Sequence, residues 1–149
     1  MNNVLRLFEG AKSLAKLSRE LKRESATVRL EELVGGALSP YSAAAIARVG
    51  GVHIFVAEDR DAAAYLLNDF YTLLDEEQVY FFPSSYKRSI AYRSEDAQGV
   101  VQRTNTINAL RGASGKGYVV VCTYPEALAE TVVAPDEMLD GMLTFSVGD

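Results

Sequence analysis

The chain has 149 residues, 48% of them hydrophobic and 23% charged, a balance that is typical of one folded domain and excludes a disordered or fibrous protein. Its formal net charge of −5 argues against a domain that coats nucleic acid, because such binding needs basic residues to neutralise phosphates. The one cysteine, Cys122, can form no internal disulfide, and no apolar block predicts a signal peptide or a transmembrane helix. We therefore expect a cytoplasmic protein with no membrane partner.

The N-terminal third of the chain is predicted to contain two helices and a strand. Apolar residues recur at steps of three and four from residue 4 to residue 21, which predicts an amphipathic helix, and we expect residues 1–24 to pack on the main domain. Residues 27–34 contain β-branched and leucine side chains and predict a short strand that ends at a pair of glycines. Ser39 is predicted to cap the second helix, which stops at a second glycine pair.

The rest of the chain alternates apolar strands with helices. The predicted elements are a strand at 52–57, a helix capped by Asp59 or Asp61 and reaching residue 74, a strand at 79–82, a polar loop at 83–97, a helix at 98–111, a strand at 118–123, a short helix at 125–129 and a strand at 142–147. This alternation predicts an α/β fold, a mainly parallel sheet with helices on both faces, because parallel strands need crossover connections. We expect residues 25–141 to form this domain. Residues 142–149 would be its last strand and the approach to a following domain.

The turn at residues 35–42, here called the glycine turn, is the candidate nucleotide site. Ligands of doubly wound sheets bind beyond the carboxyl ends of the strands, so the first strand-turn-helix is the place to examine. The phosphate-binding pattern G-x-x-x-x-G-K-S/T places Gly35 at its first glycine and Ser42 at its hydroxyl, but Pro40 replaces the second glycine and Tyr41 replaces the lysine. Proline removes a backbone N–H and tyrosine supplies no cation, so we expect no bound nucleotide and no cofactor here.

Three interpretations of this turn remain open from the residues alone. It could be an ordinary connection between a strand and a helix, in a flavodoxin-like module that binds a partner and no ligand. It could also be the phosphate turn of a small α/β enzyme acting on nucleotides or other phosphates, with Gly35, Gly36, Ser39 and Ser42 around the phosphate. The third interpretation is a decayed nucleotide site.

Other polar residues predict structural roles. His53 is the only histidine and lies in an apolar strand without metal-binding neighbours, which predicts a core or sheet-edge histidine and no metal site. Glu58 and the two aspartates that follow it are expected to cap a helix, because no dinucleotide-binding glycine pattern precedes them. Lys116 lies in a glycine-rich turn that is followed by a strand, so it is no second phosphate loop. Ser84 and Ser85 have no histidine near them in sequence and predict no catalytic triad.

Basic and aromatic residues share the polar loop. Lys87, Arg88 and Arg93 stand beside Tyr86 and Tyr92, a composition suited to phosphate or single-strand contacts, and we name the three cations as candidate DNA contacts. The alternative is a solvated loop whose cations pair with its own acidic residues.

The order and spacing of the segments resemble the start of bacterial transcription-repair coupling factors. The resemblance covers nearly the whole chain and is carried by residues 33–42, 52–57, 64–70, 79–83 and 119–128. In that family this region is similar to the first helicase-like domain of UvrB, the damage-verifying subunit of excision repair, but with a decayed ATP site. The fold implied by the resemblance is therefore that of a P-loop NTPase or RecA-like helicase domain with no working nucleotide site.

The resemblance also implies a function. It implies a non-catalytic scaffold within a larger protein that binds stalled RNA polymerase, moves on DNA with a separate ATP-driven motor and recruits UvrA for nucleotide-excision repair. Those working parts would lie beyond residue 149, and the UvrA-contacting surface would belong mainly to the following domain. The partners of this part would be the following domains of the same polypeptide. We assign no catalytic residue and no UvrA contact.

Overall fold

The computed structural model describes residues 3–86, 96–113 and 117–132. The helices are α1 (Asn3–Arg6), α2 (Lys12–Glu20), α3 (Leu38–Val49), α4 (Arg60–Leu73), α5 (Ala97–Gly112) and α6 (Pro125–Leu128), with short 3-10 helices at Gly35–Ala37 and Glu76–Gln78. The strands are β1 (Gly51–Val56), β2 (Val79–Phe82) and β3 (Tyr118–Thr123). In the described ranges no helix is long and apolar enough to cross a membrane.

The three strands form one parallel sheet in the order β1-β3-β2. The helix α4 connects β1 to β2 across β3, and α5 connects β2 back to β3. Because crossovers of this kind are right-handed as a rule and these two run in opposite directions, α4 and α5 belong on opposite faces of the sheet. The predicted α/β fold with a parallel sheet is confirmed.

Side-chain contacts agree with this arrangement. The register aligns Phe55, Cys122 and Phe81 on one face, where Phe55 meets Phe70 of α4 with ring centroids 4.7 Å apart. The opposite face carries Phe82, which contacts Arg103 of α5. The central strand β3 is almost completely buried between the two layers, as expected for a parallel sheet covered on both faces.

The first strand is less well covered than the other two. The side chains of Val52, Ile54 and Val56 point to the face of α5 but remain about half exposed, at 47%, 55% and 54%. The helix α5 packs mainly on β2 and β3. The outer edge of β1 pairs with no other strand in the described part of the chain.

The predicted N-terminal helix is instead two short helices, α1 and α2. A turn that includes Gly10 separates them, and the N–H of Ala11 donates to the carbonyl of Phe8 at 2.9 Å. Glycine loses more conformational entropy in a helix than any other residue, so the break occurs beside it. Both helices contact α3 and bury leucines in the core: Leu5, Leu14 and Leu17.

The strand predicted at residues 27–34 is wrong. Residues 26–34 have no regular secondary structure and are largely exposed, and Glu32 has a positive φ of 64°, which a strand does not allow. Strand propensity reflects side-chain packing against neighbours, and no described strand lies in hydrogen-bonding register with this segment.

Other predicted boundaries are confirmed. Gly50 ends α3 with a φ of 67°, and a Cβ atom there would lie 2.8 Å from the carbonyl oxygen of Gly117, so the position requires glycine. The carboxylate of Asp59 caps α4 by accepting from the N–H of Ala62 at 2.8 Å. The strand predicted at 142–147 lies outside the described residues.

Candidate functional site

The glycine turn does not have the strand-turn-helix geometry that the sequence predicts. A 3-10 helix at Gly35–Ala37 leads directly into α3, and no strand precedes it among residues 26–34. Ser39 is not the helix cap, because the cap position is Ala37 and Ser39 lies within α3. Its hydroxyl donates instead to the carboxylate of Asp69 on α4 at 2.6 Å.

Tyr41, at the position of the P-loop lysine, belongs to the hydrophobic core. It is 7% exposed, and its ring meets that of Phe8 edge to face at 5.8 Å between centroids. Pro40 is partly buried, and Ser42 is buried beside the alanines of α3. The start of α3 is thus used for packing against the N-terminal helices, and its residues 38–42 carry no basic side chain.

An open groove of about 680 Å³ lies between β1, α3 and the segment that follows α2. Val28 and Leu30 line it together with Ser42 and residues 52–55 of β1. His53 is located on this edge strand, and its Nε2 lies 2.8 Å from the carbonyl oxygen of Gly50. This agrees with the predicted sheet-edge role. The described residues contain no group of three His, Cys, Asp or Glu that could hold a metal ion.

A polar cluster, here called the Glu130 cluster, forms where β2 and β3 end. It consists of Ser84, Ser85, Arg103 and Glu130. The Glu130 carboxylate accepts from the Ser84 hydroxyl through Oε1, and from the N–H and hydroxyl of Ser85 through Oε2, at 2.9 and 2.7 Å. The Nη1 atom of Arg103 lies 3.5 Å from the same Oε2.

Arg103 is buried and held by four neighbours. Its guanidinium lies over the ring of Phe82 at 4.1 Å, and Nη1 donates to the carbonyls of Pro83 and Ala127 at 3.0 and 2.9 Å. Burial lowers the pKa of Arg103, and the charge of Glu130 opposes that change. The Nη2 atom is buried and has no hydrogen-bond partner in the described structure.

The environment of Glu130 favours its charged form. Burial acts to raise the pKa of the carboxyl, but the hydrogen bonds from Ser84 and Ser85 and the charge of Arg103 outweigh it, so the pKa lies below its ordinary value. The cluster therefore contains an ionised carboxylate surrounded by donors. Sequence reasoning missed it because Glu130 lies 45 residues from Ser85 along the chain, and no local motif connects the two.

The cluster also fixes the start of the polar loop. The N–H of Asp96 donates to the carbonyl of Ser85 at 2.8 Å, so the loop closes at its base. The backbone approaches closely there, because a Cβ atom on Gly99 would lie 2.7 Å from the Ser84 carbonyl oxygen. The candidate DNA contacts Lys87, Arg88 and Arg93 lie outside the described residues.

The thiol of Cys122 is unreactive in the folded chain. It is fully buried in β3, and burial raises the pKa of its thiol to about 12. A thiol with such a pKa is almost completely protonated at neutral pH and is a poor nucleophile.

Comparison with known proteins gives no relative. No protein-family model, no curated protein and no solved structure matches the chain.

Proposed function

We propose that the chain is a non-catalytic, helicase-like scaffold domain from the N-terminal, UvrB-like region of a transcription-repair coupling factor. Within this proposal the fold is a P-loop NTPase or RecA-like domain whose nucleotide site has decayed. The observation that carries it is the position of Tyr41. The phosphate-binding pattern has a lysine at this position, whereas the chain has a tyrosine whose ring is buried against Phe8.

Three further features support the proposal. The order and spacing of the segments resemble those of the coupling factors along nearly the whole chain. A parallel sheet with helices on both faces is compatible with a RecA-like domain. The hydroxyl of Ser39, which would have to face a phosphate in a working turn, is directed to Asp69.

The proposal assigns the chemistry to the rest of a larger cytoplasmic protein. The full-length protein would displace stalled RNA polymerase with an ATP-driven DNA translocase and recruit UvrA. This domain would provide a platform for the following domains. Lys87, Arg88 and Arg93 remain candidate DNA contacts.

The rival proposal is an enzyme that holds a phosphate at Gly35, Gly36, Ser39 and Ser42. It requires the hydroxyls of Ser39 and Ser42 to face solvent, where a phosphate could reach them. Ser39 and Ser42 are 4% and 8% exposed, and Ser39 already has a carboxylate partner, so the scaffold is the better supported function.

Calorimetric titration of the chain with Mg-ATP tests the two proposals. The scaffold predicts no saturable binding. A micromolar dissociation constant, abolished by Ser42→Ala, would establish the enzyme and remove the scaffold proposal.

The coding sequence that follows residue 149 tests the family assignment separately. The proposal predicts a UvrA-binding domain and an intact second P-loop motor downstream. A reading frame that lacks both would contradict it, whatever the calorimetry shows.

A further inference from the structure

The Glu130 cluster leaves one hydrogen-bond donor of Arg103 without an acceptor among the described residues. Oε2 accepts two hydrogen bonds from Ser85, which occupy both of its lone pairs. Both N–H groups of the Arg103 Nη1 atom already donate to the carbonyls of Pro83 and Ala127, so Nη1 stays 3.5 Å from Oε2, whereas a charge-assisted hydrogen bond is usually about 2.7–2.9 Å long. Its Nη2 atom, in a side chain that is only 8% exposed, has no acceptor among the described residues.

A buried guanidinium nitrogen without an acceptor is costly, since most buried polar atoms in proteins find a partner. The two oxygens of the Glu130 carboxylate accept from the serines and leave Nη2 of Arg103 without an acceptor. A phosphate group has more oxygens in a tetrahedral arrangement. It can accept from both serine hydroxyls and the Ser85 N–H and present a further oxygen to Nη2.

The location of the cluster also favours a ligand. Ser84 and Ser85 lie just after the end of β2, and Glu130 lies just after α6, which follows β3. Ligands of open parallel sheets bind at this carboxyl edge. The serines are partly exposed, and the Glu130 side chain is 17% exposed, so solvent reaches the carboxylate side of the cluster.

We propose that the Glu130 cluster is a phosphate-binding site, which the carboxylate of Glu130 occupies in the free chain and a phosphate group takes over by displacing it. Ser84, Ser85 and Arg103 supply the donors, and Glu130 is a tethered competitor. The phosphate would come from a free phosphate compound or from a nucleic-acid backbone. The proposal is independent of the scaffold function, because the glycine turn contributes nothing to it.

Amide NMR of the ¹⁵N-labelled chain tests this directly, with the Ser85 N–H as the reporter. Inorganic phosphate is titrated into the wild type and into Glu130→Ala, which removes the competitor. We expect saturable shifts at Ser85 in both, with a dissociation constant roughly ten-fold lower in the variant, because a tethered group competes at high effective concentration. The control Glu77→Ala removes the same charge from an exposed site and should bind as the wild type does.

A second probe distinguishes the sources of phosphate. A single-stranded oligonucleotide without terminal phosphates presents only diesters. Tighter binding of either probe to Glu130→Ala supports the site, and the probe that binds better identifies the source. If neither probe binds Glu130→Ala more tightly than Glu77→Ala, the proposal is wrong.

Two more variants locate the binding and guard against misfolding. The triple variant E130A/S84A/S85A should bind phosphate no more tightly than the wild type does. If it still binds as tightly as Glu130→Ala, the proposal is wrong. If Glu130→Ala does not fold, Glu130→Gln takes its place, because it keeps the side-chain shape without the charge. Mg-ATP binding lost on Ser42→Ala would refute the scaffold and leave this site intact, so the two proposals fail separately.

Discussion

The glycine turn and the Glu130 cluster are opposite cases of how sequence relates to a site. The turn carries a recognisable pattern, with Gly35 and Ser42 at the P-loop spacing, but its side chains are used for packing and for a contact between α3 and α4. The cluster has no pattern, but it brings a carboxylate, two hydroxyls and a guanidinium together. The spacing of a motif can be present without the chemistry that the motif denotes, whereas convergent donors are visible only in three dimensions.

The largest effect is expected from Arg103→Ala. The variant leaves the Glu130 charge without its cation and removes the donor to the Pro83 and Ala127 carbonyls, at a cost of about 3–5 kcal/mol in the free energy of unfolding. Urea denaturation measures it. The control Arg23→Ala breaks the exposed pair with Glu20 and should cost less than about 1 kcal/mol. Equal losses in both variants would mean that the cluster is an ordinary surface contact.

Tyr41→Lys introduces the lysine that the phosphate-binding pattern has at this position and tests whether position 41 belongs to the core. Burying an ammonium group in place of the ring should cost about 3 kcal/mol or more and should create no ATP binding. The matched control is Tyr65→Lys, at a tyrosine that is 75% exposed, with an expected change within about 0.5 kcal/mol. A stable Tyr41→Lys that binds Mg-ATP would show that the turn faces solvent and that only its lysine was missing.

The pH dependence of the free energy of unfolding tests whether the charge of Glu130 stabilises the folded chain. The pKa of Glu130 is lower in the folded chain than in the unfolded one, so at acid pH the unfolded state binds more protons. The contribution of Glu130 is complete above the ordinary glutamate pKa of about 4.3, and it disappears as the pH falls through the folded value. Glu130→Gln should cost about 1–3 kcal/mol at neutral pH and little in acid. Equal costs at pH 7 and in acid would indicate that the charge has no role.

The smallest effect concerns Ser39 and Asp69. A double-mutant cycle with Ser39→Ala and Asp69→Asn should give a coupling energy of about 1 kcal/mol, because the hydroxyl donates to that carboxylate. Thr104→Ala, whose hydroxyl donates within its own helix, serves as the control and should not couple to Asp69→Asn. If Ser39 and Asp69 show no coupling, the Ser39 hydroxyl is not held by that carboxylate and is available to a ligand of the glycine turn.

The sheet could be predicted because its strands are continuous apolar runs, although only β2 and β3 are largely buried and β1 is partly exposed. Apolar runs at 52–57, 79–82 and 118–123 need no knowledge of their neighbours to be recognised, and all three are strands. The segment at 27–34 has similar residue types but forms none, since a strand also requires a partner edge. Helix capping was predicted correctly at Asp59, where the cap is local, and wrongly at Ser39, whose partner lies 30 residues away.

The Glu130 cluster could not be predicted for a related reason. Arg103 occupies a helix position where an arginine normally faces solvent, and only the fold places it between Phe82 and Glu130. In the sequence, Ser84 and Ser85 stand out only as hydroxyls without a nearby histidine. Their role as donors depends on Glu130, which follows β3 and α6 in the chain.

Cys122 gives the chain an internal reporter of the packing between α4 and the sheet. It is the sole thiol, it is buried in the central strand on the face that α4 covers, and burial raises its pKa to about 12. A thiol reagent reaches it when α4 separates from β3. The rate of labelling then reports how often that layer opens, without any engineered probe.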